Sequence, residues 1–196
     1  MEVFVKSPPS STVHFPTTLT FFILIISQTH RTTATSFILQ SCNTTLYPSL
    51  CAKTLTPYAS AVKTNPLKLC SVALAVAIHA PENCTASVTK LKKQKGVGGG
   101  PEAGAIKDCI GVMKDAVSEL NQTVNAMGHL GDADREFQLS NAKTYASAAI
   151  TDMETCVDGF RDEKVNQVVT KEIRSCISDV EQLISIALSL INQLKY

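Results

Sequence analysis

The residues of this chain whose type and spacing could do chemistry are its seven cysteines. A thiol can ligate a metal, attack a substrate or pair with a second thiol, and its spacing and surroundings decide among these roles. The C-x-x-C spacing typical of zinc sites and redox centres does not occur in the sequence. The spacing therefore favours disulfides. The seven positions are Cys42, Cys51, Cys70, Cys84, Cys109, Cys156 and Cys176.

Other side chains give no pattern of a catalytic centre. Three neighbouring carboxylates, Asp152, Glu154 and Asp158, could imitate a paired acid and base, but on an exposed helix face they are expected to be solvated. The G-x-S-x-G motif of a nucleophile elbow is absent. We therefore expect a protein that is not an enzyme and that has no metal site and no cofactor. The histidines are scattered, at His14, His30, His79 and His129.

The N-terminal segment, residues 1–34, has the composition of a secretory signal peptide. Lys6 precedes a short apolar run, Leu19 to Ile26, and small residues follow near Ala34. This run is too short for a membrane span, which takes about 20 apolar residues. A buried helix or a membrane anchor is the alternative. We expect cleavage near Ala34, secretion of a mature domain over residues 35–196, and no membrane association after cleavage.

Further features describe the exported chain. Several cysteines suit an oxidising compartment, and N-glycosylation sequons occur at Asn43, Asn83 and Asn121. The formal net charge is +1, from 18 basic and 17 acidic residues, whereas a nucleic-acid-binding domain has an excess of basic residues on one face. We therefore expect a glycoprotein that does not bind nucleic acid.

Hydrophobic periodicity predicts an all-α domain. Apolar residues recur every three or four positions in four long segments, which we expect to be helices over residues 66–93, 101–127, 135–160 and 165–194. We expect Pro81 to kink the first helix and Val124 to lie on the buried seam of the second. Long helices with short links favour antiparallel neighbours. The prediction is an up-and-down four-helix bundle over 65–196, preceded by an N-terminal helical hairpin over 35–64 and stabilised by disulfides.

The spacing of Cys42 and Cys51 bears on the predicted hairpin. On one straight helix their Cα atoms would lie about 13.5 Å apart, whereas a disulfide tolerates less than about 7 Å. If these cysteines pair, the chain must fold back between them, and Tyr47-Pro48 is the natural position for the turn. The loop-entropy relation gives such a bridge about 2.6 kcal/mol. The alternative is two unrelated thiols.

Helix register relates the remaining cysteines. Cys109 and Cys156 lie at nearly equal distances along the chain from the expected turn near residue 131, so they face each other in an antiparallel pair of helices. By the same reasoning Cys84 and Cys176 lie opposite each other on the first and fourth helices, which makes a third bridge geometrically possible. Cys70 is then left as a buried free thiol.

Three blocks of the sequence resemble the plant invertase and pectin methylesterase inhibitor family. They are residues 42–51 with their Tyr-Pro pair, KDCIGVMKDAVSEL at 107–120, and SNAKTYASAAITDMETCVDGF at 140–160. The likeness spans essentially the whole mature chain. It implies a hairpin followed by a four-helix bundle, located in the cell wall or apoplast. It also implies the bridges Cys42–Cys51 and Cys109–Cys156, and it leaves Cys70, Cys84 and Cys176 outside the family pattern.

The resemblance implies that the partner is a cell-wall enzyme, bound one-to-one. One branch of the family covers the substrate cleft of pectin methylesterase, and the other inhibits invertase through a Pro-Lys-Phe motif. This chain contains no Pro-Lys-Phe, and residues 159–164 read Gly-Phe-Arg-Asp-Glu-Lys. The 140–160 block also looks more like the pectin methylesterase branch. We therefore expect an inhibitor of pectin methylesterase, with invertase as the alternative target.

A polar stripe on the third bundle helix is the expected binding surface, with help from the second helix. Its members recur every three or four residues and share one helix face. Small polar side chains cost little to desolvate and can hydrogen-bond to a polar, carbohydrate-binding cleft. The alternative is a stripe that is simply solvated. The stripe consists of Asn141, Thr144, Ser147, Thr151 and Asp152.

Overall fold

The structure is a computed structural model that describes residues 32–92, 101–161 and 166–195. Most of the predicted signal peptide lies outside these residues. Residues 32–34, which we had assigned to it, form the first turn of a helix, and Ala34 is buried. Cleavage nearer residue 31 would leave this helix whole. The signal peptide therefore stays a prediction, with its cleavage site moved from Ala34 to near residue 31. No helix in the described ranges is long and apolar enough to cross a membrane.

An N-terminal hairpin precedes the bundle. Helix α1 covers residues 32–42 and α2 covers Pro48–Leu55. A 3₁₀ turn at Thr56–Tyr58 and the short helix α3, Ala59–Val62, lead to the bundle. The chain reverses before Pro48, which opens α2 because proline lacks the N–H that a first helical turn leaves unpaired. A disulfide joins Cys42 to Cys51, with the Cα atoms 5.5 Å apart.

Four long helices form the bundle: α4 (Pro66–Lys92), α5 (Pro101–Gly128), α6 (Arg135–Asp158) and α7 (Gln167–Asn192). Each packs against two neighbours, so that α4, α5, α6 and α7 form a closed square in chain order. No strand occurs in the parts of the chain that the structure describes. The predicted up-and-down bundle behind a helical hairpin is confirmed.

The core is built mainly from Ala, Leu, Ile and Val side chains. On α7, apolar residues at steps of three and four are buried, among them Ile173, Ile177 and Ile184. On α5 the prediction for Val124 is wrong, because its side chain is 43% exposed and the neighbouring Thr123 is buried instead. The Thr123 hydroxyl donates to the Glu119 carbonyl at 3.0 Å, which satisfies it inside the core.

Helix ends follow the expected chemistry. Asn65 precedes α4, and its side chain accepts a hydrogen bond from the Lys68 amide at 3.0 Å. Asn166 caps α7 by accepting from the amides of Val168 and Val169. Helix α4 continues through Pro81, a position where we had expected a kink and where the structure keeps one helix over Pro66–Lys92.

Two further disulfides cross-link the bundle in pairs. Cys109 on α5 is joined to Cys156 on α6, with the Cα atoms 4.4 Å apart. Cys84 on α4 is joined to Cys176 on α7, at 5.8 Å between the Cα atoms. Cys70 is a buried free thiol. Burial raises its pKa to about 12, so it stays protonated and acts as a small apolar side chain.

Candidate functional site on helix α6

Helix α6 lies between α5 and α7 and turns its remaining face to solvent. Its buried face is built largely from small residues, including Ala142, Ala146 and Ala149. Small side chains let two helices approach closely, which agrees with the short Cα separation at the Cys109–Cys156 bridge. The solvent-facing side of α6 is therefore held rigidly by its neighbours on both sides.

The five residues of the predicted stripe do not share one environment. Thr144, Ser147 and Thr151 are exposed on the outer side of α6. Asn141 and Asp152 are only partly exposed. The structure thus keeps a stripe of three outward-facing hydroxyl residues, with a further partly buried residue near each end.

The threonine hydroxyl groups of the stripe are already engaged as donors. Thr144 donates to the Ser140 carbonyl at 3.0 Å, and Thr151 donates to the Ser147 carbonyl at 3.3 Å. Thr155, one turn further along, donates to the Thr151 carbonyl at 2.8 Å. A hydroxyl has one proton and two lone pairs. The threonines therefore offer a partner a methyl group and an acceptor oxygen but no free donor, whereas the exposed hydroxyl of Ser147 between them can donate.

The carboxyl group of Asp152 faces acidic residues of α5. Its partial burial raises its pKa, and the nearby Asp115 and Glu119 raise it further. The protonated form is favoured because a second or third negative charge is costly where solvation is reduced. Asp152 thus marks where the α6 surface continues onto α5, and three carboxyl groups meet there.

A second carboxyl group, Glu181 on α7, faces the other side of α6. Partial burial raises its pKa, and Glu154 of α6 adds to the shift. A surface cavity of about 500 Å³ lies beside this pair, and Arg161 at its edge pairs with Asp158 at 2.9 Å. Charged groups therefore flank α6 towards α7, while the line through Thr144 and Thr151 carries no charge until it reaches Asp158 near the end of the helix.

Sequence reasoning missed one residue of this face. Phe137, in the first turn of α6, is 62% exposed. It precedes Thr144 by seven residues, which is close to two helical turns, so it extends the line formed by Thr144 and Thr151. The available signal was this same spacing, because it places a large aromatic ring on the side of α6 opposite the buried alanines.

The three sequon asparagines, Asn43, Asn83 and Asn121, are all exposed. The Asn121 side chain donates to the Val117 carbonyl at 2.9 Å within α5. Glycan attachment at these positions remains a prediction.

In residues 32–92, 101–161 and 166–195, no cluster of three or more His, Cys, Asp or Glu side chains could hold an ion. His79 and His129 each pair with one carboxylate three residues further on, at the surface.

The sequence matches the family described as plant invertase/pectin methylesterase inhibitor over residues 36–190. It is 38% identical over 169 residues to pectinesterase inhibitor 9 of Arabidopsis thaliana, covering 84% of this chain and 83% of that protein. It is also 33% identical over 159 residues to pectinesterase inhibitor 4 of Arabidopsis thaliana, covering 80% of each.

Solved structures give the same fold. Mutant form A of a pectin methylesterase inhibitor from Arabidopsis matches with a TM-score of 0.60 at 21% identity, and the match covers 79% of this chain and 94% of that one. At 21% identity the structural match establishes the shared fold. Family membership rests on the sequence matches.

Proposed function

Since the chain belongs to the plant invertase/pectin methylesterase inhibitor family, we propose that it binds a plant pectin methylesterase and blocks the enzyme's pectin-binding cleft. Pectinesterase is another name for the same enzyme. The observation that carries the proposal is that relatives aligned over most of their length are named pectinesterase inhibitors. Those relatives are inhibitors rather than enzymes, and this chain is likewise a non-enzymatic member of the family.

The solvent-facing side of α6 is the surface we propose for the enzyme. It is uncharged along the line from Thr144 to Thr151, and its backbone is fixed by packing on both sides. A preorganised surface loses little conformational entropy on binding. The carboxyl groups around Asp152 support an interface that extends onto α5. We propose a complex of one inhibitor with one enzyme.

We place the protein outside the cell, in the apoplast or cell wall. The apolar N-terminal run predicts export. Three disulfides suit an oxidising compartment. The three exposed sequons are available for glycosylation. By regulating the enzyme there, the protein would regulate how much pectin in the wall stays methylesterified.

Invertase is the second candidate target, since the family description names it. The absence of Pro-Lys-Phe from the sequence favours pectin methylesterase.

A paired inhibition assay tests the proposal. The oxidised protein without its signal peptide is titrated into a plant pectin methylesterase and, separately, into a plant acid invertase, at several mildly acidic pH values. We expect loss of pectin demethylesterification with invertase unaffected. Inhibition of invertase alone would show that the assignment to the pectin methylesterase branch is wrong, and inhibition of neither would reject the function.

The location of the interface is tested by Thr144→Arg. A bulky cation in the centre of the α6 face should weaken inhibition at least tenfold, because it prevents close approach and must be desolvated. Ser71→Arg is the matched control. Ser71 is exposed on α4, diagonal to α6 in the bundle, and its hydroxyl also donates to the carbonyl four residues earlier. Equal inhibition by both variants would place the interface elsewhere.

A further inference from the structure

We propose that the enzyme is held by apolar contact along α6, with Phe137 as the anchoring side chain and the threonine methyl groups as the contact strip. This inference rests on the function proposed above and specifies how its surface works. It replaces the expectation of a hydrogen-bonding stripe. The set of residues, called the α6 strip below, is Phe137, Thr144, Thr151 and Thr155.

The first support is the position of Phe137. A side chain that is 62% exposed leaves most of an aromatic ring in water, and burying such a ring against a partner releases free energy in proportion to the area covered. The next buried residue, Leu139, fixes the backbone of the same turn. An aromatic ring with two rotatable bonds on a fixed backbone has the properties of an interface hot spot.

The second support is the hydrogen bonding of the three threonines. Each hydroxyl proton is donated to a carbonyl of α6 itself. A partner that required donors from the strip would have to break these bonds. A partner that offers apolar groups, or donors to the free lone pairs, would not. Thr144, Thr151 and Thr155 are therefore suited to dry contact, while the exposed Ser147 hydroxyl beside them can still donate to a partner. β-Branched threonine side chains also have few rotamers to lose.

The third support is the distribution of charge. Lys143, Asp152 and Glu154 lie beside the strip, and none of its four residues is charged. Uncharged centres with charged rims are typical of protein interfaces. The charged flanks would orient the partner, while the strip would provide the contact area.

The size of the strip bears on the occupant. From Phe137 to Thr155 it runs about 27 Å along a helix about 10 Å wide, which is roughly 270 Å². A stable interface takes about 800 Å² from each partner. The strip is thus the centre of a larger contact that includes α5. A cleft-bearing enzyme fits this requirement because its walls can enclose both helices.

The test uses a pectin methylesterase that the wild-type protein inhibits, and inhibition constants are measured for two sets of variants. Phe137→Ala should weaken inhibition tenfold or more. Val168→Ala is its control, since Val168 is 67% exposed in the first turn of α7, and it should inhibit like the wild type. Thermal unfolding of each variant shows whether the bundle is intact.

The second set separates methyl groups from hydroxyl groups. A triple Thr→Val variant at positions 144, 151 and 155 keeps every methyl group and loses every hydroxyl, and it should inhibit within about threefold of the wild type. The triple Thr→Ser variant does the reverse and should be weaker by roughly tenfold or more, since each buried methyl group contributes about fourfold.

Each outcome decides one question. Wild-type inhibition with an unaffected Phe137→Ala variant overturns the anchor and leaves the proposed function standing. A weak valine variant beside a fully active serine variant overturns apolar contact. If the wild-type protein forms dimers that dissociate in the Phe137→Ala variant while inhibition is unchanged, the strip is the contact between two copies of this chain instead. A wild-type protein that inhibits no pectin methylesterase rejects the function, and with it this inference.

Discussion

Replacing Cys84 and Cys176 together by alanine should lower the free energy of unfolding by about 4 kcal/mol. The two cysteines are separated by 92 positions in sequence, but the Cys109–Cys156 bridge provides a shorter path between them. That path follows residues 84–109 and 156–176, about 45 residues in all. The loop-entropy relation gives about 4 kcal/mol for this length, against about 4.6 kcal/mol for the full separation.

The assay is unfolding followed by circular dichroism, in urea and by heating. For a domain of this size 1 kcal/mol corresponds to roughly 2–4 °C in Tm, so the variant should melt roughly 8–16 °C below the wild type. The urea midpoint should fall in parallel. Inhibition measured at room temperature should be retained, because both cysteines lie away from the α6 strip.

Cys70→Ala is the matched control, because Cys70 and Cys84 are both 1% exposed and the substitution removes one buried sulfur without touching a bridge. Its effect should be about 1 kcal/mol. If the double variant loses no more stability than this control, the bridge does not constrain the unfolded chain and the entropy reasoning fails. Free thiols at Cys84 and Cys176 in non-reducing peptide maps would refute the pairing itself.

Three further predictions use the same stability assays and thiol chemistry. Asp152→Asn should raise the urea midpoint at pH 7 and leave it unchanged below pH 3.8, the usual pKa, where both states of the wild type are protonated. The pKa of Asp152 is raised in the folded state, so ionisation of this carboxyl lowers the stability of the wild type as the pH rises through that pKa. A gain in stability of the variant that is equal at all pH values would contradict this cause. Ala146→Leu should destabilise by about 1–3 kcal/mol through overpacking, whereas Ala148→Leu, at a half-buried position, should cost less; equal effects would refute the close α5–α6 packing. Cys70 should resist iodoacetamide until urea unfolds the protein, since its thiol is buried with a pKa of about 12, and rapid alkylation of the native state would refute its burial.

The bundle could be predicted because it depends on local helical periodicity and on the symmetry of antiparallel helices about a turn. Helical periodicity marks the long helices, and antiparallel neighbours place residues equidistant from a turn opposite each other. The structure joins Cys109 to Cys156 in this way, and Cys84 to Cys176. Register does not depend on side-chain detail, so it could be derived from residue numbers alone.

Errors arose where side-chain detail decides the outcome. The sequence pattern places Val124 on the buried seam, but near the end of α5 the buried positions are Thr123 and Ala126. A threonine can occupy such a position because its hydroxyl reaches a carbonyl of its own helix. Polarity alone does not identify such a residue as core.

The candidate surface was half predicted. The spacing of Thr144, Ser147 and Thr151 correctly indicated one exposed face. Their residue type suggests hydrogen bonds to a polar cleft, and that remains a prediction; the Thr144 and Thr151 protons are donated within α6, which only the side-chain rotamers reveal. Phe137 was overlooked because an aromatic residue in a helical pattern is ordinarily assigned to the core.

The three disulfides also determine how the molecule responds to proteolysis. Between Cys84 and Cys176 every peptide bond is bypassed by at least one bridge, so no single cleavage there divides the protein. Separation of the helices requires one cut between Cys84 and Cys109 and a second between Cys156 and Cys176. The molecule then divides into two tethered pairs, α4 with α7 and α5 with α6. A nicked protein would thus keep its full mass on a non-reducing gel, and the fragment bearing the α6 strip would leave only together with α5.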